Sequence, residues 1–136
     1  MKILMIFANS FTFKTTTKTL EDFPEIDKQE NIEKALIGFI HVEEKDAENA
    51  AKSVTKLIKN LKWAANKNNT KQIILHSFAH LSTSNADPCF TKEIFDMAEL
   101  RLLNADFVVR QTPFGYFLDL NLDAPGYSQA RIFKEF

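Results

Sequence analysis

The sequence predicts an α+β fold, a mostly antiparallel sheet carrying two main helices. Three observations predict it. Near-continuous apolar runs at Lys2–Ala8, Ala35–Val42 and Ile73–Phe78 read as buried strands. One amphipathic stripe runs from Asp46 to about Lys67, and the pair Asp87-Pro88 opens a second helical run to about Asn104.

Composition bounds the rest. At 136 residues the chain can bury a core without staples and reads as one domain over residues 1–136. Three Gly and four Pro leave no glycine-rich phosphate cradle. Cys89 stands alone, so there is no disulfide frame or cysteine metal cluster, which fits a reducing cytoplasm. No apolar run reaches the ~20 residues of a membrane span, and Met1–Ala8 is too short for a signal peptide, so it reads as an opening strand. With a net charge of −1, any RNA contact must rest on a local patch.

Taken in order, Phe11–Lys18 alternates and is rich in Thr, which predicts a second strand joined to the first through Asn9-Ser10. Asp22–Asn31, acidic and carrying Pro24, reads as a loop. In the third strand, Ala35–Val42, Gly38 marks a bulge. Asp46 is the expected N-cap of the first helix, whose apolar stripe is Ala47, Ala50, Val54, Leu57, Ile58, Leu61 and Ala65. The opposite side carries Lys52, Lys56, Lys59 and Lys67, with Trp63 among them. The second helix is apolar almost all round, which predicts burial or a protein interface. Phe107–Val109 is a short strand, Tyr116–Leu122 alternates cleanly, and Tyr127–Phe136 reads as a short tail.

The residues alone say little about chemistry. His80 directly follows a strand end, ahead of Ser82, Thr83, Ser84 and a helix start, where loops present groups to ligands. His41, His76 and His80 would need a fourth donor to hold zinc, and two strand histidines plus one loop histidine is the plainer reading, so neither a metal nor a cofactor is expected. Cys89 near His80 could form a nucleophile pair, but nothing beyond a helix start marks it as activated. The lysine face with Trp63 reads either as an RNA or partner patch or as a solvated face.

Two segments, Ser77-Phe78-Ala79-His80-Leu81-Ser82 and Pro113-Phe114-Gly115-Tyr116-Phe117, resemble the N-terminal editing domain of archaeal threonyl-tRNA synthetases. Phe39-Ile40-His41-Val42-Glu43 is similar to that family's Phe-Ile-Ser-Val-Glu strand, and the blocks keep their order through Leu118. The resemblance implies a D-aminoacyl-tRNA deacylase-like fold, usually a homodimer. It implies hydrolysis of seryl-tRNA(Thr), with the terminal 2′-hydroxyl of the tRNA helping to place the water. Val42 and Ala79 would supply main-chain contacts, His80 its side chain, and Tyr116 a wall. The chain departs from the family at Leu118, where a Lys is usual, and at Phe117, where a Tyr is usual. It departs again at Gln129, where an acid is usual, and at Phe7-Ala8-Asn9, where His-Ser-Asp is usual; by the resemblance Phe117, Leu118 and Gln129 are still expected to bind substrate beside Val42, Ala79 and Tyr116.

Three functions follow as expectations. The first is a deacylase acting in trans on the charged 3′ end of tRNA, beside a separate threonyl-tRNA synthetase catalytic chain. The second is a catalytically degenerate relative that binds tRNA or synthetase. The third is a deacylase for a different aminoacyl ester, admitted by the apolar Leu118.

Overall fold

The computed structural model describes all of residues 1–136. One strand dominates it. β1 (Lys2–Lys18) runs without a turn through Asn9-Ser10, where the sequence predicts a hairpin. β2 (Gln29–His41) lies antiparallel to it from Lys14↔Gln29 to Lys2↔His41, and so takes in Gln29–Asn31 as well as the expected Ala35 onward. On β1's other edge two strands share the length: β5 (Tyr116–Asp123) pairs with Ser10–Lys18, and β6 (Arg131–Glu135) with Lys2–Ile6. The expected tail is therefore a strand, stabilised by an edge that only the folded chain supplies.

Beyond β2 the sheet becomes parallel. β3 (Gln72–Ser77) pairs with β2, and β4 (Val108–Gln111) pairs with β3. Each parallel step crosses over through a helix, α1 (Ala50–Lys67) or α2 (Pro88–Asn104), as parallel pairing requires. The order is β4-β3-β2-β1-β5, with β6 beside β1.

β1 changes which core it feeds at Asn9. Ile3, Met5 and Phe7 join the core beneath the helices, whereas Ala8, Phe11 and Phe13 join a second core on the other face. Strict alternation would keep odd positions on one face throughout. The partner strand breaks step opposite, at Lys34, whose φ of +51° lies in the left-handed region. Ile32 and Ala35 consequently point into the same second core.

α1 lies on the first core through Val54, Leu57, Ile58, Leu61, Ala64 and Ala65, as its stripe predicts. Its N-cap is Asn49, whose side chain accepts from the Lys52 N–H, rather than Asp46. Asp46 sits instead in a 3-10 turn, Glu44–Asn49, and accepts the Glu43 N–H. α2 begins as read, with the Asp87 carboxylate accepting from Cys89 and Phe90. It buries Ile94, Phe95, Ala98 and Leu102 while Met97, Leu100 and Leu103 remain exposed.

Gly38 marks no bulge, since it pairs in register with Met5 and Leu75. It is the place where α1 comes closest to the sheet: an added Cβ would lie 2.9 Å from Leu61 Cδ2 and 3.4 Å from Ile3 Cδ1. We expect Gly38→Ala to lower stability by roughly 1–3 kcal/mol through overpacking, read from the urea midpoint. Gly126→Ala, with nothing within 4 Å of the new Cβ, should change it by less than about 0.5 kcal/mol.

Candidate active site

The parallel strands β2 and β3 end side by side, and the loops that follow them wall one side of a cavity of about 440 Å³. Val42, Phe78, Ala79 and His80 form that side, and Pro113–Leu118 forms the other. The two sequence blocks singled out above thus face each other across one space. Phe7 is buried in the core beneath the helices and does not reach the cavity. Phe117 is 60% exposed and Leu118 packs toward the second core, so neither side chain fills the opening.

No Asp, Glu, Lys or Arg lines this cavity; its titratable groups are His41, His76, His80 and Tyr116. His76 is buried, its Nδ1 is 2.8 Å from the Thr112 hydroxyl, and its ring meets Phe39 edge-on. Burial and then the neighbouring His80 push its pKa down to about 4, so it is neutral near pH 7. His80 is exposed at the mouth, its ring edge-on to Phe78 at 4.8 Å. The main-chain N–H groups of Ala79 and His80 make no hydrogen bond within the protein, nor does the Ala79 carbonyl. The Val42 carbonyl already accepts from the Ala86 N–H.

The loop carrying His80 is held from below by two side chains of the β2 end. His41 is only 1% exposed. Its Nδ1 lies 3.0 Å from the Leu81 nitrogen and 3.1 Å from the Ser82 nitrogen, so it accepts from both N–H groups. The proton therefore sits on Nε2, which donates to the Ser84 carbonyl at 2.8 Å. Two residues on, Glu43 accepts from the Ser82 hydroxyl at 2.7 Å, while its other oxygen lies 2.8 Å from the amino group of Met1. That amino group also meets Asp46 at 3.1 Å and donates to the Phe136 carbonyl at 2.7 Å. Burial pushes the Glu43 carboxyl up, but the Met1 ammonium, the Ser82 hydroxyl and Lys2 outweigh it and hold the pKa down to about 2.

On the opposite wall Gly115 adopts φ +86° and accepts from the Thr19 and Leu20 N–H groups. A Cβ there would sit 3.2 Å from that of Leu20. Tyr116 lines the cavity. Its hydroxyl accepts the Ile26 N–H at 2.7 Å and so fastens the 19–28 loop.

Not every candidate gathers here. Gln129 is elsewhere, its carbonyl accepting from Asn68 at the C-terminus of α1, about 20 Å away along β3 by strand rise. Lys52, Lys56, Lys59, Trp63 and Lys67 lie on α1 outside the cavity, as does Cys89 at the start of α2. His41 and Glu43 are the residues that sequence reasoning missed. A histidine and a glutamate closing an apolar strand were the only signal.

The sequence profile described as the archaea-specific editing domain of threonyl-tRNA synthetase matches residues 1–136. The chain belongs to this family. It is similar to the threonine–tRNA ligase of Methanosphaera stadtmanae, with 32% identity over 129 residues, 93% of this chain and 21% of the ligase. Against the ligase of Hyperthermus butylicus identity is 30% over 142 residues, covering 100% of this chain and 23% of that protein. For the Staphylothermus marinus ligase the values are 33% over 138 residues, 98% and 22%. The chain thus spans about a fifth of the length of these relatives. Among solved structures, the c-Myc DNA unwinding element binding protein superposes with a TM-score of 0.69 at 11% identity, covering 100% of this chain and 99% of that one. The fold is D-aminoacyl-tRNA deacylase-like, and no helix of this editing domain is long and apolar enough to cross a membrane.

Two outcomes test the support beneath the His80 loop. Because the folded pKa of Glu43 is depressed, its contribution is complete above about pH 4.5 and is lost as pH falls toward 2. Glu43→Gln should therefore cost about 2–3 kcal/mol at pH 7, where it leaves Asp46 as the one carboxylate on the buried ammonium, and should flatten the stability–pH curve in that acid window. His41→Leu should cost about 1–3 kcal/mol and raise hydrogen exchange at the Leu81 and Ser82 amides. His41→Asn, which keeps an acceptor near the Nδ1 position, should restore part of that protection.

Proposed function

We propose that this editing domain hydrolyses the ester joining serine to the 3′ end of threonine's tRNA. The reading is carried by one observation. An open cavity of about 440 Å³, within the roughly 300–1,000 Å³ usual for small-ligand sites, is lined by unclaimed main-chain donors at Ala79 and His80 and by no charged side chain. The task needs such a second pocket, because a synthetic site rejects an amino acid short of one methyl by only about 1–3 kcal/mol.

In this mechanism water attacks the ester carbonyl carbon, and charge develops on the carbonyl oxygen. The Ala79 and His80 N–H groups, fixed in place by the His41 and Glu43 contacts, donate to that oxyanion without reorganising. The Ala79 carbonyl accepts from the serine ammonium. The His80 ring and the terminal 2′-hydroxyl of the tRNA hold the water. As the carbon–oxygen bond breaks, the ribose oxygen takes up a proton, leaving serine and a free 3′ end. Leu118, Phe114 and the Tyr116 ring supply apolar wall. The partner is the charged 3′ end of tRNA, threonyl-tRNA synthetase is the enzyme whose errors are removed, and a homodimer is the assembly.

The lysine face of α1, which lies outside the cavity, favours a second reading in which the domain binds tRNA or synthetase without chemistry. One assay separates them. With seryl-tRNA(Thr) at micromolar protein, serine should be released well above buffer and faster than threonine from threonyl-tRNA(Thr). His80→Ala should slow release by roughly 100-fold. Release no faster than in buffer removes the deacylase reading and leaves the binding one.

A further inference from the structure

The carboxylates of this chain are unevenly placed. No Asp or Glu occurs between Glu48 and Asp87, although the whole chain is nearly neutral. All of α1 falls in that gap, and it carries Lys52, Lys56, Lys59, Lys62 and Lys67. None of these five ammoniums is in a salt bridge; of the nine lysines elsewhere, Lys2, Lys18, Lys28, Lys45 and Lys92 reach a carboxylate and Lys14, Lys34, Lys71 and Lys134 do not. Lys52, Lys56, Lys59, Trp63 and Lys67 advance in steps of three and four, so they form one stripe along the helix. At about 1.5 Å per residue the stripe is roughly 22 Å long. Glu44 and Glu48 lie ahead of its first lysine, so its positive field is strongest toward Trp63.

Trp63 is 44% exposed. Its ring has Lys67 Nζ at 6.0 Å and Lys134 Nζ, from β6, at 5.9 Å. Like charges three and four apart destabilise a helix, and here no carboxylate offsets them. A spaced row of free ammoniums suits a ligand with a spaced row of anions. An exposed indole between two of them suits a ligand that also has flat rings to stack.

We propose that this face of α1, with Lys134, docks the phosphate backbone of RNA, holding the body of the tRNA whose charged end enters the cavity. The proposal rests on the deacylation reading for the choice of RNA, and its test does not depend on catalysis. The stripe starts at the cavity end of the domain and leads away from it, because α1 runs back from the β2 end to the start of β3.

The test measures binding of uncharged tRNA(Thr) across a salt series. Replacing Lys56, Lys59 and Lys67 with Gln should weaken binding at low salt by about tenfold or more and lower the log Kd–log salt slope by about two to three. Trp63→Ala should weaken it by about fivefold or more. Replacing Lys14, Lys28 and Lys92 with Gln removes as much charge elsewhere and should change Kd by less than about twofold. A serine ester of adenosine, which engages the cavity alone, should be cleaved equally by the wild type and the α1 triple variant. Failure of the wild type to cleave that ester would count against the deacylation reading and leave the binding result standing. An unchanged slope in the α1 variant, or equal weakening by the control set, overturns the docking proposal.

Discussion

The buried pairing of the Met1 ammonium with Glu43 sets the geometry of the whole cavity end of the molecule. A charge out of water must be matched, and this one is matched by Glu43, Asp46 and the Phe136 carbonyl together. The same contacts fix the 3-10 turn that precedes α1 and lock β6 against β1. Through Ser82 they also fix the loop of His80. One polar knot therefore ties the start of the chain, its last strand and the candidate chemistry to a common point.

The cavity works with few charges of its own. His76 is held neutral by burial, His41 donates and accepts with both nitrogens inside the protein, and the Tyr116 hydroxyl is turned to a neighbouring loop. What remains is main chain, one exposed imidazole, apolar wall and neutral polar side chains such as Ser77 and Asn85. Such a site stabilises a developing negative oxygen through dipoles already in position. Net positive charge is kept apart, on α1.

Much of this was legible in the sequence where the signal is local. Asp87-Pro88 fixed α2 to the residue, because capping and the missing proline N–H act within one turn. The α1 stripe was legible for the same reason, although Asp46 was drawn off its expected cap by an ammonium that is 45 positions away in sequence. The errors are non-local. Asn9-Ser10 has turn-forming residues, and only pairing with β2, β5 and β6 on two edges keeps β1 straight through them. β6 is a tail until β1 gives it an edge. At the site, the two sequence blocks located the cavity, but His41 reads as one more strand residue until the loop folds over it. Gln129 enters the expected site only through the family resemblance, and the fold sets it at the far end of α1.

The change of face at Asn9 and Lys34 bears on how this domain comes apart. β1 threads both apolar layers and borders three other strands, so melting either layer releases a strand that the other also needs. Cooperativity is concentrated in a single ribbon. The motions left available without breaking it are those at the margin, in the short β4 edge and in the loops around the cavity, which is where a substrate must enter and leave.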